Sequence, residues 1–354
     1  MSCTPSAAVC AILAGALALM PVASSARAGQ PVKGGAAAAP APEKAAPEAT
    51  VEAAAAPQKA APVEAKKLFG AAGTSAALAP RAIGFYARGC LAGAEPLPID
   101  GPAWQAMRLS RNRNWGHPTL VRLIERLGTE ASEKDGWPGL LVGDISQPRG
   151  GPMLTGHASH QIGLDADIWL TPMPDRRLSE KEREDLAATS MLATDGLSVD
   201  PKIWTATHAR LIIRAASYPE VDRIFVHPAI KKAMCQQTGI DRTHLRKIQP
   251  YWGHHYHFHI RISCPAGSVG CANQPARPAD DGCGKEVDDW MVQLRKPPKP
   301  VAPGPKAPPK PGLLLEQLPQ ECRTVLEAAS GQVPPHAVSS GTQQEPASKA
   351  ADAR

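Results

Sequence analysis

The chain of 354 residues carries 39 Lys and Arg against 33 Asp and Glu, a formal net charge of +6 with a sequence pI near 8.9. The basic residues are scattered, with no arginine-rich helix and no basic stripe interleaved with aromatics. That argues against a nucleic-acid-binding module and leaves an anionic polymer as a compatible partner.

In chain order, the first feature is an apolar run over residues 7–23, ending in Ala26-Arg27-Ala28, a small-x-small cleavage pattern before Gly29. No Lys or Arg precedes it, but the run is too short for a membrane span and is broken at Pro21. Residues 1–28 therefore read as a signal peptide, giving a soluble periplasmic protein with no stable membrane insertion after cleavage. Residues 29–81 are Ala, Pro, Lys and Glu with almost no aromatics, a composition that cannot offset its ordering entropy, and read as a disordered spacer. A helix over 53–67 is opposed by Pro57 and Pro62. One domain follows over 82–325, a length suited to a single core, with a polyproline-like segment at 296–312 and a disordered tail at 326–354.

Within the domain, helices are predicted over 118–127, 179–192 and 207–216, and strands over 140–145, 165–170, 223–227 and 256–262. This mix predicts an α+β fold with a central antiparallel sheet, flanked by helices and stapled by disulfides. Cys3 and Cys10 fall in the removed piece, leaving Cys90, Cys235, Cys264, Cys271, Cys283 and Cys322. An even count in an exported chain favours disulfides, and the absence of any C-x-x-C pair argues against thiolate zinc. The turn-rich loop between Cys264 and Cys271 suits a local bridge, while the spacing does not choose among the other pairings.

Of the 11 histidines, six fall in two short segments. The run GHHYHFHIR over 253–261 places His257, His259 and Arg261 on one face of a strand and Phe258 and Ile260 on the other. Upstream, GHASHQIGLDAD over 156–167 leads from a Gly-rich loop into a strand with Asp165 and Asp167 on one face. A loop histidine, His160, with Asp167 and His259 would make a His-Asp-His zinc site with an open fourth position, the mark of a catalytic zinc. Asp165 reads as a carboxylate that orients a neighbour. His117, His208, His227, His244 and His336 read as surface or satisfied core histidines, His255 as an exposed strand-entry residue. Trp115 and Trp252 read as core residues, Trp252 lying beside the cluster in sequence.

The spacing of His160, Asp167 and the later H-x-H resembles the lysostaphin / D-Ala-D-Ala metallopeptidase / hedgehog group of zinc peptidases, and within it the penicillin-insensitive murein endopeptidases of the Gram-negative periplasm. The likeness runs from about 83 to 322. It includes Gly89-Cys90, WGHP at 115–118, the 156–167 run, RIFV at 223–226, Asp241-Arg242 and DGCG at 281–284. The resemblance implies His160, Asp167 and His259 as zinc ligands, with His157 approaching the metal. It implies His257 as the proton-transfer residue and His254 as a second active-site histidine. It also implies bridges Cys90–Cys322, Cys235–Cys283 and Cys264–Cys271. Asp195 resembles a position that contributes to a second metal, with Ser198 where a histidine partner would stand. The implied activity is zinc-dependent hydrolysis of D-alanyl–meso-diaminopimelyl cross-links in peptidoglycan. A zinc D,D-carboxypeptidase or dipeptidase of the wall and a non-enzymatic periplasmic metal-binding protein are the rival readings.

Overall fold

A computed structural model of the chain describes residues 63–297 and 311–333. The expected signal peptide, the spacer up to residue 62, most of the Pro-rich segment and the tail from 334, with His336, lie outside the described residues.

Seven strands form the main sheet, in the order Ile248–Pro250, Val221–Val226, His257–Ile262, Asp165–Trp169, Leu140–Val142, Trp104–Ala106, Asp100–Gly101. The four central strands, from Val221–Val226 to Leu140–Val142, run antiparallel as expected. The neighbours on either side, Ile248–Pro250 and Trp104–Ala106, each join in parallel, so the sheet as a whole is mixed. The central register pairs His259 with Asp167, Arg261 with Asp165 and Ile260 with Ala166. Because side chains alternate across a strand, one register sends every ionisable group to one face and Ala166, Ile168, Phe258 and Ile260 to the other.

Two helices cover that apolar face. Pro118–Lys134 buries Leu120, Val121, Ile124, Leu127 and Ala131, an i, i+3/i+4 stripe, and Ala206–Ser217 buries Leu211, Ile212, Ala215 and Ala216. Each large side chain so buried is worth about 1.5–3 kcal/mol relative to exposure. Pro118 and Pro228 each stand at the first position of a helix, and the histidine before each caps it: His117 Nδ1 accepts from the Thr119 amide and His227 Nδ1 from the Ala229 amide, both at 3.2 Å. His208 is likewise a satisfied core histidine, between Trp137 and Trp204, with Nδ1 accepting from the Thr205 amide.

Several expectations change. The helix predicted over 179–192 stops at Asp185, after a Ser179–Glu182 capping box. Beyond it, tertiary hydrogen bonds from the Thr189 amide to Thr171 Oγ1 and from the Met191 amide to the His255 carbonyl hold the chain extended. The spacer boundary also moves, because residues 63–80 are folded. A helix at Ala65–Gly70, too short to persist alone, buries Phe69 against Gly151, where a Cβ would come within 2.1 Å of the ring. Its partner is the segment after the Pro-rich stretch: the Ala65 amide donates to the Leu313 carbonyl, and Ala76 bridges Ser330. The tail likewise stays ordered past 325, through the helix Glu321–Glu327 to Val333. Arg149 donates from Nη1 to the carbonyls of Val325, Leu326 and Ala328, satisfying the open end of that helix. Composition concealed this because one aromatic, Phe69, does the anchoring.

The three disulfides are Cys90–Cys322, Cys235–Cys283 and Cys264–Cys271. No helix among the described residues is long and apolar enough to cross a membrane.

Two outcomes follow. Cys322→Ser should cost roughly 2–5 kcal/mol and expose the 321–327 amides first; unchanged hydrogen-exchange protection there would contradict the stapling role. Burial pushes His117 and His227 down to about 4, whereas an unfolded imidazole titrates near 6.5. Between those values the unfolded chain binds more protons, so stability falls as the pH drops from about 6.5 to about 4. Urea midpoints measured across that window should decline, and His117→Asn, which keeps a capping oxygen, should flatten the decline. An equal slope in the variant would remove the cap from this account.

Candidate metal centre and its cleft

Three pieces of chain converge on the ionisable face of the sheet. The strand Asp165–Trp169 supplies Asp165 and Asp167, the strand His257–Ile262 supplies His257 and His259, and the loop before Asp165 supplies His157 and His160. His160 is fully buried and sits at φ +67°, a left-handed conformation that costs a non-glycine residue of order 1 kcal/mol or more. Two contacts hold it there: its amide donates to Asp165 Oδ2 at 3.0 Å, and its Nδ1 donates to the Ile145 carbonyl at 2.6 Å. The second bond fixes the tautomer, leaving the Nε2 lone pair directed at Asp167.

Asp165 organises the other side as well. Its Oδ1 accepts from His259 Nε2 at 2.8 Å and from Arg261 Nε at 2.6 Å. With Nε2 committed, His259 turns Nδ1 inward, 3.5 Å from Asp167 Oδ1. The same oxygen is 3.5 Å from His160 Nε2 and 3.5 Å from His257 Nε2. Asp167 Oδ1 and His160 Nε2 are buried and have no hydrogen-bond partner. Orphaned buried groups of this kind cost about 1–3 kcal/mol each. A tetrahedral zinc with bonds of about 2.0–2.1 Å holds its ligand atoms about 3.3 Å apart. Spacing, orphaned lone pairs and a donor set of imidazole nitrogen plus carboxylate oxygen all fit such an ion.

The electrostatics agree with the geometry. Burial opposes ionisation of Asp165, but Arg261 and then His259 outweigh it and hold the carboxyl well below its usual range. Asp167 is held down in the same way by His257 and His160. Burial pushes His259 down to about 3 and His257 down to about 4, so both rings are neutral near pH 7. Burial also lowers His160, but Asp167 outweighs it and the ring ends above its ordinary value.

The side chains whose ligand atoms all lie within 4.8 Å of one another are His157, His160 and Asp167; His259, expected as a ligand, is not in that set and reaches it through its Nδ1, 3.5 Å from Asp167 Oδ1. His157 Nε2 lies 3.0 Å from Asp144 Oδ2 and 3.5 Å from Asp167 Oδ2. His254, at φ +53°, has its ring 4.9 Å from His257 and 5.7 Å from His259, and its Nδ1 donates to the Trp252 carbonyl. Asp195 is not brought to the site. It is exposed, and its Oδ1 accepts from the amides of Leu197 and Ser198 and from Ser198 Oγ, so it closes its own turn. His255 is half-buried with Nδ1 against Ser190 Oγ, outside the group.

Asp144 was missed from sequence, read as an interior residue of the 140–145 strand. That strand ends at Val142, and Gly143 lets the chain pass close to Trp169, where a Cβ would lie 2.9 Å from Nε1. Asp144 then turns into the site, accepting from His157, Arg113 and Arg111. Burial would raise its pKa, but the His157 hydrogen bond and the two arginines outweigh this and bring it to about 2. A lone carboxylate closing an apolar strand was the available signal.

A cavity of about 290 Å³ lies on one side of the group, lined by Arg111, Asp144, Trp169, Tyr256 and His257. Another of about 380 Å³ lies on the other, lined by Tyr86, Phe225, Tyr251, His254 and His259, and His157 borders both. The candidate centre thus borders two cavities, one reached through His257 and Asp167 and the other through His259.

Asp165→Asn must present an NH2 to one of the donors that Asp165 now accepts, so His259 loses its clamp or His160 its amide partner. Zinc affinity, measured by chelator competition, should fall about 10–100-fold; wild-type affinity would refute the clamp.

With this geometry in place, comparison with known proteins is direct. Residues 82–327 match the family model described as penicillin-insensitive murein endopeptidase. The protein of that name from Haemophilus influenzae is 47% identical over 220 residues, covering 62% of this chain and 74% of that protein. Those from Yersinia enterocolitica and Klebsiella pneumoniae are each 42% identical over 249 residues, covering 70% of this chain and 86% of theirs. The chain belongs to the penicillin-insensitive murein endopeptidase family.

Proposed function

We propose that the chain is a zinc-dependent endopeptidase that hydrolyses peptidoglycan cross-links, the D-alanyl–meso-diaminopimelyl amide, in the periplasm. The observation that carries this reading is Asp167 Oδ1, buried and without a hydrogen-bond partner, 3.5 Å from three imidazole nitrogens. Peptidase membership of the family supports the reaction class. The apolar run at 7–23 with its Ala-Arg-Ala site supports export.

His160, Asp167 and His259 would hold the zinc, which supplies Lewis acidity and brings the pKa of a bound water toward neutrality. Asp165 keeps His259 in the tautomer that offers Nδ1. His257, neutral near pH 7 and with Nε2 3.5 Å from Asp167 Oδ1, accepts the water's proton at that nitrogen and returns it to the leaving amine. His254 stands beside His257, and its Nδ1 bond leaves Nε2 as an acceptor that can share this transfer. Asp144 holds His157 at the rim. No serine or cysteine nucleophile takes part, which accounts for indifference to β-lactams.

The two cavities that border the centre offer room for chain on more than one side of it, which supports an endopeptidase over a carboxypeptidase. Two arginines that might have bound a terminal carboxylate are engaged elsewhere. Arg149 caps a helix, and Arg261 is buried on Asp165 between the rings of Tyr86 and Phe225.

Purified protein incubated with cross-linked muropeptide dimers should convert them to monomers. Chelator should abolish this and added zinc restore it. His257→Ala should retain its metal and lose about 10²–10⁴-fold in kcat. Full activity in that variant would refute the proton-transfer role. Release of terminal D-Ala without dimer opening would favour the carboxypeptidase, and several labile metals without hydrolysis would favour a metal-binding protein.

A further inference from the structure

We propose that Tyr251, Trp252 and Trp290 form an aromatic shelf that binds the sugar strand of peptidoglycan beside the cleft. The proposal rests on peptidoglycan being the substrate. Aromatic residues are only 4% of this chain, and nearly all are buried or half-buried. Among the described residues, the exposed ones are Tyr251 (48%), Trp252 (51%) and Tyr256 (37%), all in the loop that carries His254. Trp252, read from sequence as core, is therefore a surface residue. Leaving so much ring in water forgoes burial that the other aromatics of the chain obtain, and exposed apolar patches of this kind mark binding surfaces.

The rings are held in place. The Tyr251 amide donates to the Val226 carbonyl at 2.9 Å, continuing the pairing of the neighbouring strands. Trp290, from the helix Lys285–Arg295, packs edge-on to Trp252 at 5.2 Å and meets Tyr251 at 6.1 Å. The shelf is continuous with the metal centre: His259 to Phe225 is 5.1 Å and Phe225 to Tyr251 is 5.6 Å between ring centroids. Preformed aromatic surfaces bind with little entropy cost.

Three points favour a sugar as the occupant. Pyranose rings offer apolar C–H faces to aromatic planes together with hydroxyl and acetamido groups that need polar partners. The cavity under Tyr251 supplies the amides of Gln249 and Gln274; Gln274 Oε1 already accepts from Arg261, so its NH2 remains a donor. Second, the helix of Trp290 offers no cluster of free cations: Lys285 pairs with Asp289, and its Glu286 engages Arg277, which disfavours an anionic lipid surface. Third, the cross-link hangs from the glycan on a stem peptide, and three to four extended residues span about 10–14 Å. The ring-to-ring steps from His259 through Phe225 to Tyr251 bring the inner edge of the shelf within that reach.

The test uses the full chain and two kinds of probe. Soluble glycan strands stripped of peptide should bind the wild type, read by tryptophan fluorescence. Affinity should fall about tenfold in Trp252→Ala and recover in Trp252→Phe. On glycan-bearing dimers, Trp252→Ala and Trp290→Ala should raise KM with kcat unchanged, while glycan-free peptide dimers are cleaved as by wild type. Absence of strand binding by the wild type overturns the shelf, as does an equal loss on both substrates. So does a wild-type dimer in sedimentation that Trp252→Ala dissociates, since a second copy would then be the occupant. Because strand binding needs no hydrolysis, a chain that binds strands but opens no cross-link refutes the function and not the shelf.

Discussion

A single buried carboxylate, that of Asp165, accepts the backbone amide of His160, the ring of His259 and the guanidinium of Arg261. His160, His259 and Arg261 each take part of their orientation from these three bonds. Without the first, His160 has no reason to stay in a left-handed conformation that its side chain disfavours. Without the second, His259 could turn the wrong nitrogen inward. The third supplies the positive charge that lets Asp165 stay ionised away from water, since an unpaired buried carboxylate would protonate instead.

The sheet makes that arrangement possible and the helices make it rigid. One register across His257–Ile262 and Asp165–Trp169 puts His259 opposite Asp167 and Arg261 opposite Asp165, while Phe258 and Ile260 lock into the core beneath Pro118–Lys134 and Ala206–Ser217. A slip by one residue would bury the histidines under the helices, so the apolar face protects the polar one. The Cys90–Cys322 bridge and Arg149 add a second, smaller core in which the segment before the domain and the segment after it pack together.

Much of the site was legible because it is written in strand alternation. The faces of 165–170 and 256–262, the loop position of His160 and the auxiliary role of Asp165 all follow from spacing and residue type. What was not legible depends on contacts distant in sequence. Asp144 becomes a site residue only because Gly143 lets the strand end against Trp169. Phe69 anchors only because the chain after 310 returns to meet it. The helix expected to run to 192 yields to hydrogen bonds that the Thr189 and Met191 amides donate to Thr171 Oγ1 and the His255 carbonyl. Asp195 matched a familiar position, yet with Ser198 beside it the carboxylate satisfies itself locally. Trp252 looked like core by residue type alone, and only the fold shows it exposed, packed edge-on to Trp290.

The proposal turns on a division of labour: His160, Asp167 and His259 would hold one metal ion, and His257 would remain free. X-ray absorption spectroscopy on the zinc-loaded protein, compared between wild type, His257→Ala and His259→Ala, tests it most directly. The account predicts one zinc per chain, with nitrogen and oxygen neighbours at about 2.0–2.2 Å, unchanged in His257→Ala and lost or rearranged in His259→Ala. A first coordination sphere that changes in His257→Ala and survives in His259→Ala would contradict it.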